Sequence, residues 1–170
     1  SSTAEQVTQG LSLSGKTFLV TGCNSGLGLE TLRVLTLRGA QVLGTARTAD
    51  KATEAIKGLQ LSTAKGLSCE LADPKSVRAC VQAVRASGVR LDGIICNAGI
   101  MALPKLHQAC GYELQFFTNH IGHFILVTGL LEQLSDTGRV VMLSSTAHKR
   151  APREGIQFDN LSGEKGYNGW

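Results

Sequence analysis

The run Thr21-Gly22-Cys23-Asn24-Ser25-Gly26-Leu27-Gly28 constrains the fold of this chain more than any other segment. An apolar stretch, Thr17-Phe18-Leu19-Val20, precedes it. A segment of helical periodicity follows, with Leu27, Glu30, Thr31, Val34, Leu35 and Leu37 in step. The pattern reads as a strand, a glycine-rich turn and a helix N-terminus. The first N–H groups of a helix have no intrahelical acceptor, and the helix dipole adds partial positive charge there; together they suit a phosphate group. The spacing is T-G-x3-G-x-G, wider than G-x-G-x-x-G. Glycine lets the backbone approach a pyrophosphate closely and supplies positive φ without steric cost. Taken alone, the loop also reads as a glycine-rich turn with no ligand.

The alternation continues along the chain. Strands are expected at Thr17–Thr21, Gln41–Ala46, Gly66–Cys69, Leu91–Cys96 and Arg139–Ser144. Helices are expected at Leu27–Arg38, Asp50–Lys57, from Pro74 to about Ala86, and from about Tyr112 to Leu134. Gly39 ends the first as a C-cap. Asp73 and Pro74 supply an N-cap and a proline at the first helical position. Val77, Cys80, Val81 and Val84 share one face of that helix. The fourth strand is nearly all apolar, as a buried parallel strand is, and the fifth is again apolar in Val140-Val141-Met142-Leu143. Alternating strands and helices imply an α/β fold with a parallel sheet covered on both sides. The length, 170 residues, suits one domain with a real core. Residues 1–14 read as a polar N-terminal arm with a short amphipathic piece, Val7 to Leu13, and residues 15–170 as the domain. Beyond Ala147 the periodic pattern dissolves.

Composition excludes several function classes. The net charge of +4 carries no block of like charge, which argues against nucleic acid. The five cysteines are odd in number and contain no C-x-x-C. They read as free thiols of a reducing compartment, cytoplasm or organelle matrix or stroma, in a protein that is not secreted. Cys23, beside a helix N-terminus, has two readings: a thiol of lowered pKa able to react, or a small residue tolerated in the loop. No secretory signal or transmembrane span is visible; the longest apolar region, Ile121 to Leu131, is too short and contains His123. His120 and His123 read as packing or helix-surface residues, and no metal set is present.

Five further segments carry chemistry. Gly44-Thr45-Ala46-Arg47-Thr48 closes the second strand. An acid there would accept from a ribose 2′-hydroxyl. Ala46 stands instead, followed by Arg47, whose guanidinium suits a 2′-phosphate through bidentate charge-assisted bonds. Arg47 also reads as a solvated loop charge. Cys69-Glu70-Leu71-Ala72-Asp73 follows the third strand and Asn97-Ala98-Gly99-Ile100 the fourth. Asn119 lies within Phe117-Thr118-Asn119-His120-Ile121-Gly122-His123-Phe124, and Ser144-Ser145 follow the fifth strand. No G-x-S-x-G elbow surrounds them, which excludes a hydrolase nucleophile of that type.

In this order the motifs resemble the N-terminal two thirds of a short-chain dehydrogenase/reductase. They are most similar to its retinol dehydrogenase, protochlorophyllide reductase and WW-domain oxidoreductase branch, from about Leu13 to Trp170. The resemblance implies a Rossmann-type doubly wound sheet with strand order 3-2-1-4-5 and the family's C-terminal strands missing. It implies cofactor contacts from Gly22, Asn24, Ser25, Gly26, Leu27, Gly28, Arg47, Glu70, Leu71, Asn97, Ala98 and Gly99. NADP is the expected cofactor, in preference to NAD. Glu70 stands where most members carry Asp for the adenine contact. Asn119 would support a proton relay, and Ser145 would orient a substrate carbonyl or alcohol through its hydroxyl.

The family's proton donor belongs to a Tyr-x-x-x-Lys pair, which these residues lack. Tyr167 has no lysine four residues on, and the resemblance puts the tyrosine about three residues past Trp170. The 170-residue segment alone is therefore expected to be inactive. The fifth strand would be an open apolar edge, an aggregation liability unless further chain, a partner subunit or a homo-oligomer covers it. The expected function is NADP-dependent hydride transfer between nicotinamide and the carbonyl or alcohol of an apolar small molecule. Two other readings are a catalytically silent nucleotide-binding subunit of a larger assembly and a redox sensor built on Cys23.

Overall fold

The long apolar runs become the strands of one parallel sheet in the computed structural model, which describes residues 2–59 and 62–169. The strands are β1 (Thr17–Thr21), β2 (Gln41–Ala46), β3 (Ala64–Ser68), β4 (Leu91–Cys96) and β7 (Leu134–Met142). Between the last two in sequence lies an antiparallel hairpin, β5 (Gln108–Ala109) and β6 (Tyr112–Glu113). The sheet order is β3-β2-β1-β4-β7, so the five parallel strands run in the expected order. Ser1 of the expected arm and Trp170 of the expected last loop lie outside the described residues.

Alternation along β1 explains the two layers. Leu19 joins a core with Val77, Cys80, Val81 and Val84 of helix α4 (Pro74–Ala86) and Leu126 and Leu130 of helix α6 (Gly122–Leu130). Val20, its neighbour, points the other way. It meets Leu32 of helix α2 (Gly26–Leu37) and Ala52 and Ile56 of helix α3 (Ala49–Gly58). β1, in the middle of the sheet, is thus covered on both faces. The caps are as expected: Asp73 accepts from the Lys75 N–H at 2.9 Å, Pro74 starts α4, and Gly39 follows α2 with φ +92°. A short helix, α1 (Ala4–Val7), is held on α2 by Arg33 to Glu5 at 2.9 Å and by Arg38 to the Glu5 carbonyl at 2.6 Å.

Several boundaries differ from the sequence expectation, among them β3, which runs Ala64–Ser68 where Gly66–Cys69 was expected. The segment expected to be helical from Tyr112 instead opens with the hairpin. Cys110 (φ 52°) and Gly111 (φ 81°) form its two-residue turn, the positive-φ pair that matches strand twist. Helix begins only at α5 (Leu114–Phe116), where Glu113 accepts from the Phe116 N–H at 2.7 Å. A π-helical turn, Phe117–Ile121, then separates α5 from α6. The fifth parallel strand starts early, at Leu134 opposite Leu91, and shifts register before Gly93 meets Arg139. Its end, Val140 to Met142, stays exposed together with Leu143. Among the described residues no helix is long and apolar enough to cross a membrane.

Candidate active site

A cleft of about 680 Å³ opens beyond the C-terminal ends of β1, β2 and β4. That is where open α/β sheets bind ligands. Its floor is the glycine loop. Gly22 has φ +69°, and a side chain there would meet Ala98 at 2.9 Å. A Cβ on Gly28 would overlap the Gly22 carbonyl and lie 2.5 Å from Asn97 Nδ2. Both glycines therefore permit α2 and the segment after β4 to close on the end of β1. Gly26 (φ +55°) faces open space. Ser25 flanks α2 in extended conformation and its side chain caps nothing. The first N–H groups of α2 are thus available to an anion. Leu27, 73% exposed, stands at the rim.

Thr21 knits the floor to the wall. Its Oγ1 accepts from the backbone N–H groups of Asn97 and Ala98, each at 3.0 Å. Asn97 Nδ2 donates to the Thr21 carbonyl at 2.9 Å. Asn97, Ala98 and Gly99 line the cleft from this anchored position.

The opposite wall is formed by Ala46, Arg47, Glu70, Leu71 and Ala72. Arg47 is exposed at the lip, and Ser68 Oγ donates to its backbone carbonyl at 3.2 Å. No side-chain bond engages its guanidinium among the described residues. Glu70 turns part of its carboxylate inward to accept from the Ala72 N–H at 3.1 Å, while its own N–H donates to Ser76 Oγ at 2.9 Å. A Cβ on Gly122 would overlap the Leu71 carbonyl, so α6 sits directly on this loop.

Of the sequence-predicted cofactor residues, all but Gly26 line the cleft. The two predicted catalytic residues do not. Asn119 is paired with the backbone of Ile100: its Oδ1 accepts from the Ile100 N–H at 2.9 Å and its Nδ2 donates to the Ile100 carbonyl at 2.8 Å. Ser145 lies past β7, where its Oγ accepts from the Ala147 N–H at 3.1 Å. Tyr167 donates its hydroxyl to the Leu103 carbonyl at 2.9 Å, a loop-holding contact.

The cleft also holds residues the sequence did not single out. Ile100, Leu103, Leu114 and Leu143 make one end apolar. Thr118 lines it too, and its buried Oγ1 has no partner among the described residues. Its position beside Asn119 was the available signal. His123 was expected to pack or face solvent; it is buried and makes two polar contacts, Nε2 to Thr21 Oγ1 at 2.8 Å and Nδ1 to the Asn119 carbonyl at 2.9 Å. Burial keeps its pKa below the usual imidazole value.

Of the two readings of Cys23, burial supports the small residue tolerated in the loop over the reactive thiol. Cys23 is fully buried against Gly44 and Leu32, and burial pushes its pKa up to about 11. The physical reason is that the side chain turns into the core, away from the N–H groups of α2. Cys69, hydrogen-bonded to the Cys80 thiol and buried, is also held well above the ordinary thiol range. No cluster of metal-ligating side chains occurs among the described residues.

Comparison with known proteins agrees with this geometry. A family described as short chain dehydrogenase matches residues 16–157. Short-chain dehydrogenase TIC 32 B, chloroplastic, of Brassica napus is 39% identical over 178 residues, covering 98% of this chain and 56% of its own. Retinol dehydrogenase 11 of Homo sapiens is 38% identical over 167 residues, covering 95% and 52%. The chain thus spans about half the length of the curated relatives it matches. Among solved structures, an uncharacterized protein from Mycobacterium Paratuberculosis superposes with a TM-score of 0.81 at 34% identity, covering 94% of this chain and 56% of that one. The Pseudomonas aeruginosa RhlG/NADP complex superposes with a TM-score of 0.69 at 26% identity, covering 91% and 63%. Fold, cleft and matches lead to one conclusion: the chain belongs to the short-chain dehydrogenase family.

Proposed function

We propose that the chain is the dinucleotide-binding part of an NADP-dependent oxidoreductase acting on the carbonyl or alcohol of an apolar small molecule. The observation that carries this reading is the pairing of an uncapped α2 N-terminus with an unengaged Arg47 guanidinium at opposite sides of one cleft. Pyrophosphate would rest on the N–H groups of α2, and Arg47 would take the 2′-phosphate. Glu70 and Leu71 would border the adenine, and Asn97, Ala98 and Gly99 the ribose. When bound, the nicotinamide accepts or supplies the hydride.

The remaining steps belong to this chain. Ile100, Leu103, Leu114 and Leu143 would exclude water from the reacting end and favour an apolar substrate. Asn119 would hold Gly99 and Ile100 against the reacting end through its bridge to Ile100. Ser145 would release the Ala147 N–H or share its oxygen in order to orient the substrate oxygen. Named relatives are dehydrogenases, including retinol dehydrogenases, so a catalytically silent subunit is not favoured. Free thiols and a chloroplastic relative support a reducing compartment.

The test is a fluorescence titration of the chain with NADPH and with NADH. We expect saturable binding with NADPH preferred, and Arg47→Ala should weaken NADPH by about tenfold or more while leaving NADH nearly unchanged. Equal loss for both dinucleotides would overturn the NADP preference, and no saturable binding of either would overturn the function.

A further inference from the structure

The buried imidazole of His123 is tied at both ends to parts of the cleft that are far apart in sequence. Nδ1 faces the Asn119 carbonyl at 2.9 Å, and a carbonyl can only accept. Nδ1 therefore carries the proton, and Nε2 of the neutral ring is an acceptor. Its partner is Thr21 Oγ1 at 2.8 Å. That oxygen already accepts from the N–H groups of Asn97 and Ala98 at 3.0 Å, so its single proton is free to point elsewhere. It points to Nε2, since the alternative acceptor, the Ile95 carbonyl, is 3.5 Å away. Every donor and acceptor in the chain from Asn119 through His123 and Thr21 to the two amides is then satisfied. Such a network is worth keeping whole, because at low dielectric each unpaired member is costly.

The location gives the network a task beyond packing. The Asn119 carbonyl belongs to the π-helical turn, in which the Gly122 N–H reaches back to the Phe117 carbonyl. The side chain of Asn119 in turn holds Ile100. Thr21 ends β1 where the glycine loop begins. His123 thus joins the turn behind one wall of the cleft to its floor.

We propose that His123 is a positioning residue: through Asn119 and Thr21 it holds the π-helical turn in register with the Asn97-Ala98 wall, and so sets how well the cleft is shaped for the dinucleotide. The inference rests on the function proposed above. It does not give His123 a contact with cofactor or substrate.

Two measurements test it. Nitrogen-15 NMR of the labelled chain at neutral pH reads the ring directly. The Nδ1–H tautomer is expected, the less populated one for free histidine in water; an Nε2–H tautomer or an imidazolium would overturn the proposal. NADPH dissociation constants are then compared for wild type, His123→Phe, Thr21→Val and the double variant, each first checked for cooperative thermal unfolding. Each single change should weaken binding about tenfold, and the double change no more than Thr21→Val alone, because both cut the same link. His123→Asn, which restores an N–H near the Asn119 carbonyl, should recover part of the loss. Losses that multiply in the double variant, or folded variants with unchanged affinity, would overturn the positioning role while leaving the cofactor reading intact. A wild-type chain that binds neither NADPH nor NADH would overturn both.

Discussion

Asn119 and Ile100, nineteen residues apart, are joined by two reciprocal hydrogen bonds of 2.9 and 2.8 Å in which an amide side chain pairs with a backbone as a neighbouring strand would. The bridge fixes the end of the Asn97–Ile100 segment against the π-helical turn. Asn119→Asp removes the donor and sets a carboxylate against the Ile100 carbonyl. We expect it to cost about 1–3 kcal/mol of stability and to weaken NADPH binding. Asn119→Ala should cost less, because no charge is left facing the carbonyl. Urea denaturation of both variants checks the order; equal stabilities would remove the bridge from the argument.

Two of the three glycines of the loop, Gly28 and Gly26, should respond differently to alanine. At Gly28 a Cβ collides with the Gly22 carbonyl and Asn97 Nδ2, neither of which can move without opening the floor. Gly28→Ala should abolish NADPH binding and destabilise by about 1–3 kcal/mol, as overpacking does. At Gly26 there is space, and only the left-handed φ of +55° resists, at about 1 kcal/mol. Calorimetry and cofactor titration of the two variants give the comparison; similar behaviour would contradict the assigned roles.

Thiol reactivity should follow burial, not position in a motif. Cys110 is exposed, whereas Cys23, Cys69, Cys80 and Cys96 are buried. Burial also pushes Cys23 up to about 11 and Cys96 up to about 12. With an aromatic disulfide reagent at pH 8, one thiol should react quickly in the folded chain, and Cys110→Ser should remove that phase. A fast phase surviving this change and mapping to Cys23 would revive the redox-sensor reading.

Acid should destabilise the fold in two windows. Burial acts to raise the Asp92 carboxyl, but the Thr17 N–H, the Lys16 ammonium and the Ser135 hydroxyl outweigh it and hold Asp92 below its usual value. Its contribution is complete above the unfolded carboxylate range and is lost as pH falls through the depressed folded value. His123 acts higher. Burial lowers its folded pKa, so below about 6.5 the unfolded chain takes up a proton that the folded chain refuses, and stability drops. Unfolding free energy measured against pH should lose the upper decline in His123→Gln and the lower one in Asp92→Asn. A His123→Gln curve parallel to wild type between pH 7 and 5 would contradict this.

Much of the fold was legible because its signals are local. The alternation of Leu19 and Val20, the Asp73-Pro74 cap and the stripe Val77, Cys80, Val81, Val84 each depend on a few neighbouring residues. The cleft lining was legible for the same reason: the glycine loop, Arg47, Glu70 and Asn97 each follow a strand end, and strand ends of a parallel sheet converge. The hairpin at Cys110-Gly111 was missed because cysteine is an unusual partner for glycine in such a turn. The π-helical turn was missed because it is stabilised by packing, with the Leu71 carbonyl against Gly122.

By itself the sequence determined the order of strands and helices and the phosphate-ready turn, which short-range sterics and periodicity dictate, and it put an alanine, Ala46, where a carboxylate would stand. Only the tertiary structure decided that Cys23 turns inward, that Asn119 spends its amide on Ile100, and that one buried imidazole joins residues 21 and 119. Those outcomes depend on which groups lose water together. That is set when segments 19 to 102 residues apart pack against one another, and no local pattern encodes it.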